Sequence, residues 1–403
     1  MEPRYALKVR QLLEKGVDIP SPRTVEISED VNLDRISGDN VSIYSGCKIY
    51  GSSTLISKGS QLGYEGPVTV ENCQIGPQVE LKGGFCKESV FLNRACLGFG
   101  SHVRAGTILE EEARIAHAVA LKQTILFPYV TLGSLVNFCD CFMSGGTGRK
   151  NHSEVGSSYI HFNYTPNQDK ATPSLIGDVP RGVMLNQRPI FLGGQGGLVG
   201  PCRFEFGTVT AAGSICRKDE LKPGRLVIAQ RGKEARVRFV PGKYWNLKRT
   251  VINNIIYISN LMALMNWYVN VRSQFLSDEF SELLFYGLIE KLDMAIDERL
   301  KRFGSLCLKN MNQKLSAKWS EIKELFSDLR YYEGNKKTKE ICLESISRGI
   351  KRSGKNYLLV IKNLEPSGTE SGTKWLQGIV DHLTSEILTI IPSFSPGKDS
   401  EQE

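Results

Sequence analysis

Large apolar side chains recur at every sixth position over one stretch of the chain: Val79, Phe85, Phe91, Leu97, Val103, Leu109, Ile115, Leu121 and Phe127. A second column, mostly of small residues, runs two positions ahead of it through Ala95, Ser101, Thr107, Ala113, Val119 and Ile125. Residues two apart on an extended strand share a face, so both columns are expected to point inward. An α-helix is excluded, because six residues advance it by about 600° and scatter successive apolar positions over different faces. A short strand and a corner, repeated, satisfy the pattern. Three such rungs close one triangular coil of about 18 residues, and stacked coils share a continuous core as solenoids do. The spacing therefore predicts a left-handed parallel β-helix, a hexapeptide solenoid, over residues 25–235.

Apolar-glycine pairs (Leu62-Gly63, Ile75-Gly76, Leu97-Gly98, Leu132-Gly133, Val155-Gly156, Ile176-Gly177, Val199-Gly200) fall where corners are needed, and glycine is expected there for its backbone freedom. Gly, Asn, Pro and charged residues crowd together over 145–188, which predicts loop insertions in that part of the solenoid. Residues 1–24 hold a helix, Tyr5 to Lys15, expected to cap the open end and cover its unpaired strand edges. From Lys243 glycine thins out and helical periodicity takes over. Leu247 to Arg272, Ser277 to Arg302 and Leu315 to Leu329 read as helices and Tyr357 to Lys362 as a short strand, giving a mainly helical domain over 243–391 and a disordered tail over 392–403.

Composition narrows the class. The chain has 403 residues, 41% hydrophobic and 23% charged, as expected of a soluble globular protein of two or three domains. Fifty-one basic against 43 acidic residues leave a net charge of +8, much of it beyond Arg217, and the absence of an aromatic-basic module argues against nucleic acid and for a solvated basic face. Ten cysteines without CxxC spacing suit reduced thiols, and the first residues lack an apolar run of signal-peptide length, so a cytoplasmic location is expected. Val251 to Val271 carries no charge, yet Asn253, Asn254, Asn260, Asn266 and Asn270 interrupt it, which favours a buried helix over a membrane span. No HxxH or HExxH spacing occurs, and no metal is expected.

Polar and ionisable residues concentrate between His102 and His161, where a purely structural coil has no need of them. The run from Ser101 to Thr107, then Leu121-Lys122-Gln123-Thr124, Leu132-Gly133-Ser134, Phe162-Asn163-Tyr164 and Ser174 to Asp178 resembles, in order and spacing, the acetyltransferase half of the bacterial bifunctional enzymes of UDP-N-acetylglucosamine biosynthesis. The resemblance covers roughly residues 40–235. It implies a homotrimer that acetylates glucosamine-1-phosphate with acetyl-CoA in clefts between subunits. Position by position, it implies that Arg104 and Lys122 bind the sugar phosphate, that Asn163, Tyr164 and Lys170 contact the sugar, and that Gly194, Ala212 and Arg231 contact acetyl-CoA. Guanidinium and ammonium groups suit a phosphate dianion, and a carboxamide can orient sugar hydroxyls.

The histidine that the resemblance implies as general base is absent. Ser134 stands in its place and Asn137 in that of a tyrosine, and a serine hydroxyl is no base near neutrality without an activating partner. His152 and His161, which border the same loops, are the candidate substitutes, with structural roles as the alternative. The expected function is acyl transfer to a phosphosugar or nucleotide sugar, most specifically glucosamine-1-phosphate N-acetylation. One competitor is a non-catalytic phosphosugar or nucleotide-sugar binding scaffold that has lost the base. A second is the UDP-N-acetylglucosamine pyrophosphorylase activity of the same pathway, for which no nucleotidyltransferase domain is visible.

Overall fold

A computed structural model describes residues 4–229 and 236–395. Its N-terminal part is a parallel β-helix with three faces. One face has ten strands among the described residues, from Ser42–Ile43 to Leu226–Val227, and a second has eight, from Leu55–Ile56 to Arg203–Phe204. The third is split: six strands run from Glu26–Ile27 to Ala120–Leu121, the ladder narrows to single bridges at Asn137, and three strands resume at Ile160–Phe162. The chain visits the ten-strand, split and eight-strand faces in that order on each coil.

The fold class is as the periodicity predicts, and the small-residue column from Ala95 to Ile125 is buried throughout. The large-residue column is regular only from Phe91 to Leu121. Leu97 pairs with Leu81 and Val103 with Cys86, so the rungs before Phe91 do not keep a strict sixfold count. Phe85 consequently faces outward and lies against the His102 ring, with centroids 4.8 Å apart. The expectation for the glycine pairs also needs correction. Gly63 does adopt a positive φ of 88°, but Gly133 does not, and a Cβ there would lie 2.7 Å from the backbone nitrogen of Ser157 on the next coil. Glycine is required at Gly133 by the closeness of the neighbouring coil.

Helix α1 (Arg4–Glu14) closes one end of the solenoid with Val9 and Leu12 in the core. Coil strands pass straight through the expected insertion, which adds a hairpin, Gly146–Gly148 with Asn151–His152, and the short helix α2 (Val179–Gly182). The C-terminal part comprises α3 (Leu247–Asn270), α4 (Glu279–Lys309), α5 (Gln313–Ala317), α6 (Trp319–Asp328), α7 (Lys336–Ser353), α8 (Tyr357–Lys362) and α9 (Pro366–Ile390). Tyr357 to Lys362 is thus helical, not a strand, because Asn356 caps it by accepting from the Leu359 amide. Pro392–Phe394 forms a 3-10 turn with Phe394 buried, so order extends past the point where a disordered tail was expected to begin.

Helix α3 packs between α4 and α9, and Asn253, Asn254 and Asn260 tie it to the β-helix. Asn254 Nδ2 donates to the Ala171 carbonyl at 2.9 Å, and Asn260 Oδ1 accepts from the Val179 amide at 3.0 Å. No helix among the described residues is long and apolar enough to cross a membrane. Helix α4 lies along the eight-strand face. This placement puts one edge of the helical part against each of that face's two corners.

Candidate functional site

Strands Ser101–Val103 and Ala120–Leu121 pair with Val103 opposite Leu121, so the next residues, Arg104 and Lys122, leave the split face one above the other at its corner with the eight-strand face. On the following coil Asn137, Cys139 and Asp140 turn the same corner, held by the Asp140 amide donating to the Lys122 carbonyl at 2.8 Å. Asn163 follows the strand Ile160–Phe162, and Lys170 comes from the loop after it. Helix α4 supplies the facing wall with Glu298, Arg299 and Arg302. Together these side chains line a pocket of about 170 Å³. That is smaller than the roughly 300–1,000 Å³ of a drug-sized ligand site and suits one small charged group.

Asp140 organises the pocket. Its Oδ1 accepts from Arg299 Nη2 at 2.7 Å and its Oδ2 from Asn163 Nδ2 at 2.7 Å. Arg302 is held by Glu298 at 2.7 Å. Among the described residues Arg104 reaches only the Cys139 sulfur, 3.8 Å away. Burial, reinforced by Asp140, pushes the Cys139 thiol up, while Arg104 pulls it back, so this buried cysteine is a poor nucleophile. Lys122 and Lys170 have no carboxylate partner among the described residues. Five cationic side chains therefore face two carboxylates, both already engaged by arginine. Such a pocket can hold a multiply charged oxyanion through charge-assisted hydrogen bonds.

The structure thus brings Arg104, Lys122, Asn163 and Lys170 together. Tyr164 does not join them; it is 70% exposed and does not line the pocket. Neither candidate histidine reaches it. His161 is 1% exposed and points into the coil, its Nε2 2.8 Å from Ser174 Oγ, because alternate residues of Ile160–Phe162 face the core. Burial lowers its pKa from 6.5 to about 4, leaving it neutral and out of contact with the cleft. His152 belongs to the hairpin at the opposite edge of the eight-strand face, where its Nδ1 lies 2.8 Å from the Arg149 carbonyl and its Nε2 3.5 Å from Glu154.

A different histidine stands beside Ser134. On the ten-strand face Ile115, Leu132, Val155, Leu192 and Thr210 are in register, coil upon coil. Two residues further on, His117, Ser134, Ser157, Gly194 and Ala212 form one column along the corner with the split face. Ser134 Oγ lies 3.0 Å from Nδ1 of the exposed His117, and the Ser134 amide donates to Ser157 Oγ at 3.2 Å. Coil register could have found His117 in the sequence; motif spacing within one coil could not. Gly194 and Ala212 sit on adjacent coils of this column, and a Cβ at neighbouring Gly193 would come within 2.5 Å of Ala212. Arg231 lies outside the described residues.

No family description matches the chain. Among characterised proteins it is similar to the bifunctional protein GlmU of Thermotoga maritima, 28% identical over 243 residues that make up 60% of this chain and 47% of that protein. GlmU of Pelobacter propionicus is 28% identical over 223 residues, 55% of this chain and 43% of that protein. GlmU of Clavibacter sepedonicus is 28% identical over 221 residues, 55% and 40% respectively. The chain thus spans less than half the length of the relatives it matches. By its fold, its coil register and these similarities, the chain is a hexapeptide-repeat β-helix protein that resembles the bifunctional GlmU proteins.

Proposed function

We propose that this protein acetylates the amine of glucosamine-1-phosphate with acetyl-CoA, supplying an N-acetylated sugar phosphate for UDP-N-acetylglucosamine synthesis. The observation that carries this reading is the meeting of Arg104, Lys122, Lys170 and Asn163 in one anion pocket beside the split face. The phosphate takes the pocket, and the sugar lies across the split face over Ala120 and Asn137. Ser134 precedes Asn137 by three residues around the corner, no more than about 10 Å, so the amine points toward the corner occupied by His117 and Ser134.

His117 is the general base in this scheme. With its Nδ1–H donated to Ser134 Oγ, Nε2 keeps its lone pair for the amine proton. The amine nitrogen attacks the thioester carbonyl, the C–N bond forms, the C–S bond breaks, and the proton held by His117 passes to the departing thiolate. Acetyl-CoA lies along the corner column toward Gly194 and Ala212, coils about 4.8 Å apart, with its thioester at Ser134. A homotrimer in the cytoplasm, implied by the resemblance, belongs to this proposal.

One observation favours a second reading, a phosphosugar-binding scaffold without turnover: Ser134 occupies the position at which the resemblance implies the base. Thiol release from acetyl-CoA separates the two. Release that requires glucosamine-1-phosphate and falls about 10²- to 10⁴-fold in His117→Ala supports acetyl transfer with His117 as base. Folded protein that binds the phosphosugar but releases no thiol above background leaves the scaffold reading.

A further inference from the structure

The anion pocket has one wall that does not come from the β-helix. Helix α4 runs along the eight-strand face and carries Glu298, Arg299 and Arg302 to the corner where Arg104 and Lys122 emerge. Arg299 enters the seam almost completely buried and binds Asp140, which in turn holds Asn163. Its Nε and Nη1 have no hydrogen-bond acceptor among the described residues, a costly arrangement for a guanidinium out of water. The same helical part steadies the loop bearing Lys170: Lys309 Nζ donates to the Asn167 carbonyl at 3.3 Å, and Tyr244 Oη donates to Asp169 Oδ2 at 2.6 Å.

Arg302 is less buried than Arg299 and is shaped differently for its place. Nε and Nη2 are both used by Glu298, which fixes the plane of the guanidinium, while Nη1 makes no hydrogen bond among the described residues. A guanidinium oriented by a carboxylate on one side and lining a cation-rich pocket on the other is prepared for an oxyanion.

We propose that α4 completes the phosphate site within a single chain, with Arg302 a direct ligand of the phosphoryl group, and that the site thereby selects phosphorylated sugars over unphosphorylated ones. The identity of the sugar rests on the acetyl-transfer reading above; the contact to phosphate does not. The packing that makes this possible lies outside the coil register, because α4 belongs to the helical part.

Calorimetric binding of glucosamine-1-phosphate and of glucosamine to the full chain tests the proposal, with thiol release measured separately. Arg302→Gln, which keeps a hydrogen bond to Glu298, is expected to weaken glucosamine-1-phosphate binding about 10- to 100-fold and leave glucosamine unchanged. Arg302→Lys is expected to restore part of the loss. A melting temperature equal to the wild type's excludes a folding effect. Arg302→Gln binding as tightly as wild type, or losing both ligands equally, overturns the proposal whatever the thiol assay shows. Wild type that binds the phosphosugar through Arg302 yet releases no thiol defeats acetyl transfer and leaves the α4 contact standing. Wild type that does not bind the phosphosugar defeats both.

Discussion

The helical part meets the β-helix along both edges of the eight-strand face, and the two seams handle charge in opposite ways. At one edge Glu110 and Glu111 turn the corner into the ten-strand face, and Arg272 bridges them, its Nη2 2.6 Å from Glu110 and its Nη1 2.6 Å from Glu111. Tyr268 donates to Glu110, and the guanidinium lies 3.9 Å from the centroid of the Tyr357 ring. Burial pushes the Glu110 carboxyl up and Arg272 pulls it back. Carboxylates outnumber cations there, and the two acids are answered by groups of the same chain. At the other edge cations outnumber carboxylates, and Arg104, Lys122 and Lys170 remain without an anionic partner among the described residues. A closed seam of paired ions holds two parts together; an open one with surplus charge is built for something the chain does not contain.

Removing the cation from the closed seam should produce the largest effect. Arg272→Met leaves two buried carboxylates without their partner and is expected to cost about 3–5 kcal/mol in urea denaturation at pH 7. With Arg272 gone, only the hydrogen bond from Tyr268 opposes the upward push of burial on Glu110, so the native state binds more protons than the unfolded chain above the ordinary carboxylate range. Stability then falls as pH rises, and the variant's deficit should shrink near pH 5. An equal deficit at both pH values would show that the seam is held by packing and not by charge.

A buried ionisable group outside both seams gives the next effect. His161 titrates at about 4 in the native state against an ordinary 6.5. Between those values the unfolded chain takes up a proton that the native chain refuses, so the native state loses stability as pH falls from about 6.5 to about 4. Compared with His161→Gln, the wild type should lose roughly 2–3 kcal/mol more between pH 7 and pH 4.5 in denaturation curves. A difference that does not change with pH would mean that His161 is protonated or solvated in the native state.

The open seam should respond least in stability and most in binding. Arg104→Ala and Lys122→Ala are each expected to weaken glucosamine-1-phosphate binding by about 1.5–3 kcal/mol while moving stability by no more than about 0.5 kcal/mol, since neither side chain is spent on an internal ion pair. Stability losses as large as that of Arg272→Met would place both seams in the same structural class.

Much of the solenoid is legible in the sequence because its core repeats. The column from Ala95 to Ile125 can be read residue by residue, since each small side chain meets the same surroundings one coil later. Phe85 escapes that reading because coil length is decided by pairing across coils, and an apolar residue one place off the register faces outward. Helices α7 and α9 carry weaker signals than α3. Gly372 of α9 looks like a breaker in isolation, yet a Cβ there would lie 2.5 Å from Met184 and 2.8 Å from Cys342, so close packing requires glycine at that position.

The site divides in the same manner. Arg104, Lys122, Asn163 and Lys170 are implied by the family resemblance, and they meet in one pocket because positions along a solenoid map directly onto positions in space. His152 and His161 border the same loops in the sequence, yet two residues of strand or one hairpin suffice to turn an imidazole into the core or around another corner. The sixfold pattern by itself determined a parallel β-helix with a polar segment between His102 and His161, because periodicity is local and each rung repeats the same physics. Only the tertiary structure decided that Arg299 and Arg302 of α4 face Arg104, since these contacts join residues whose separation in the chain says nothing about their distance in space.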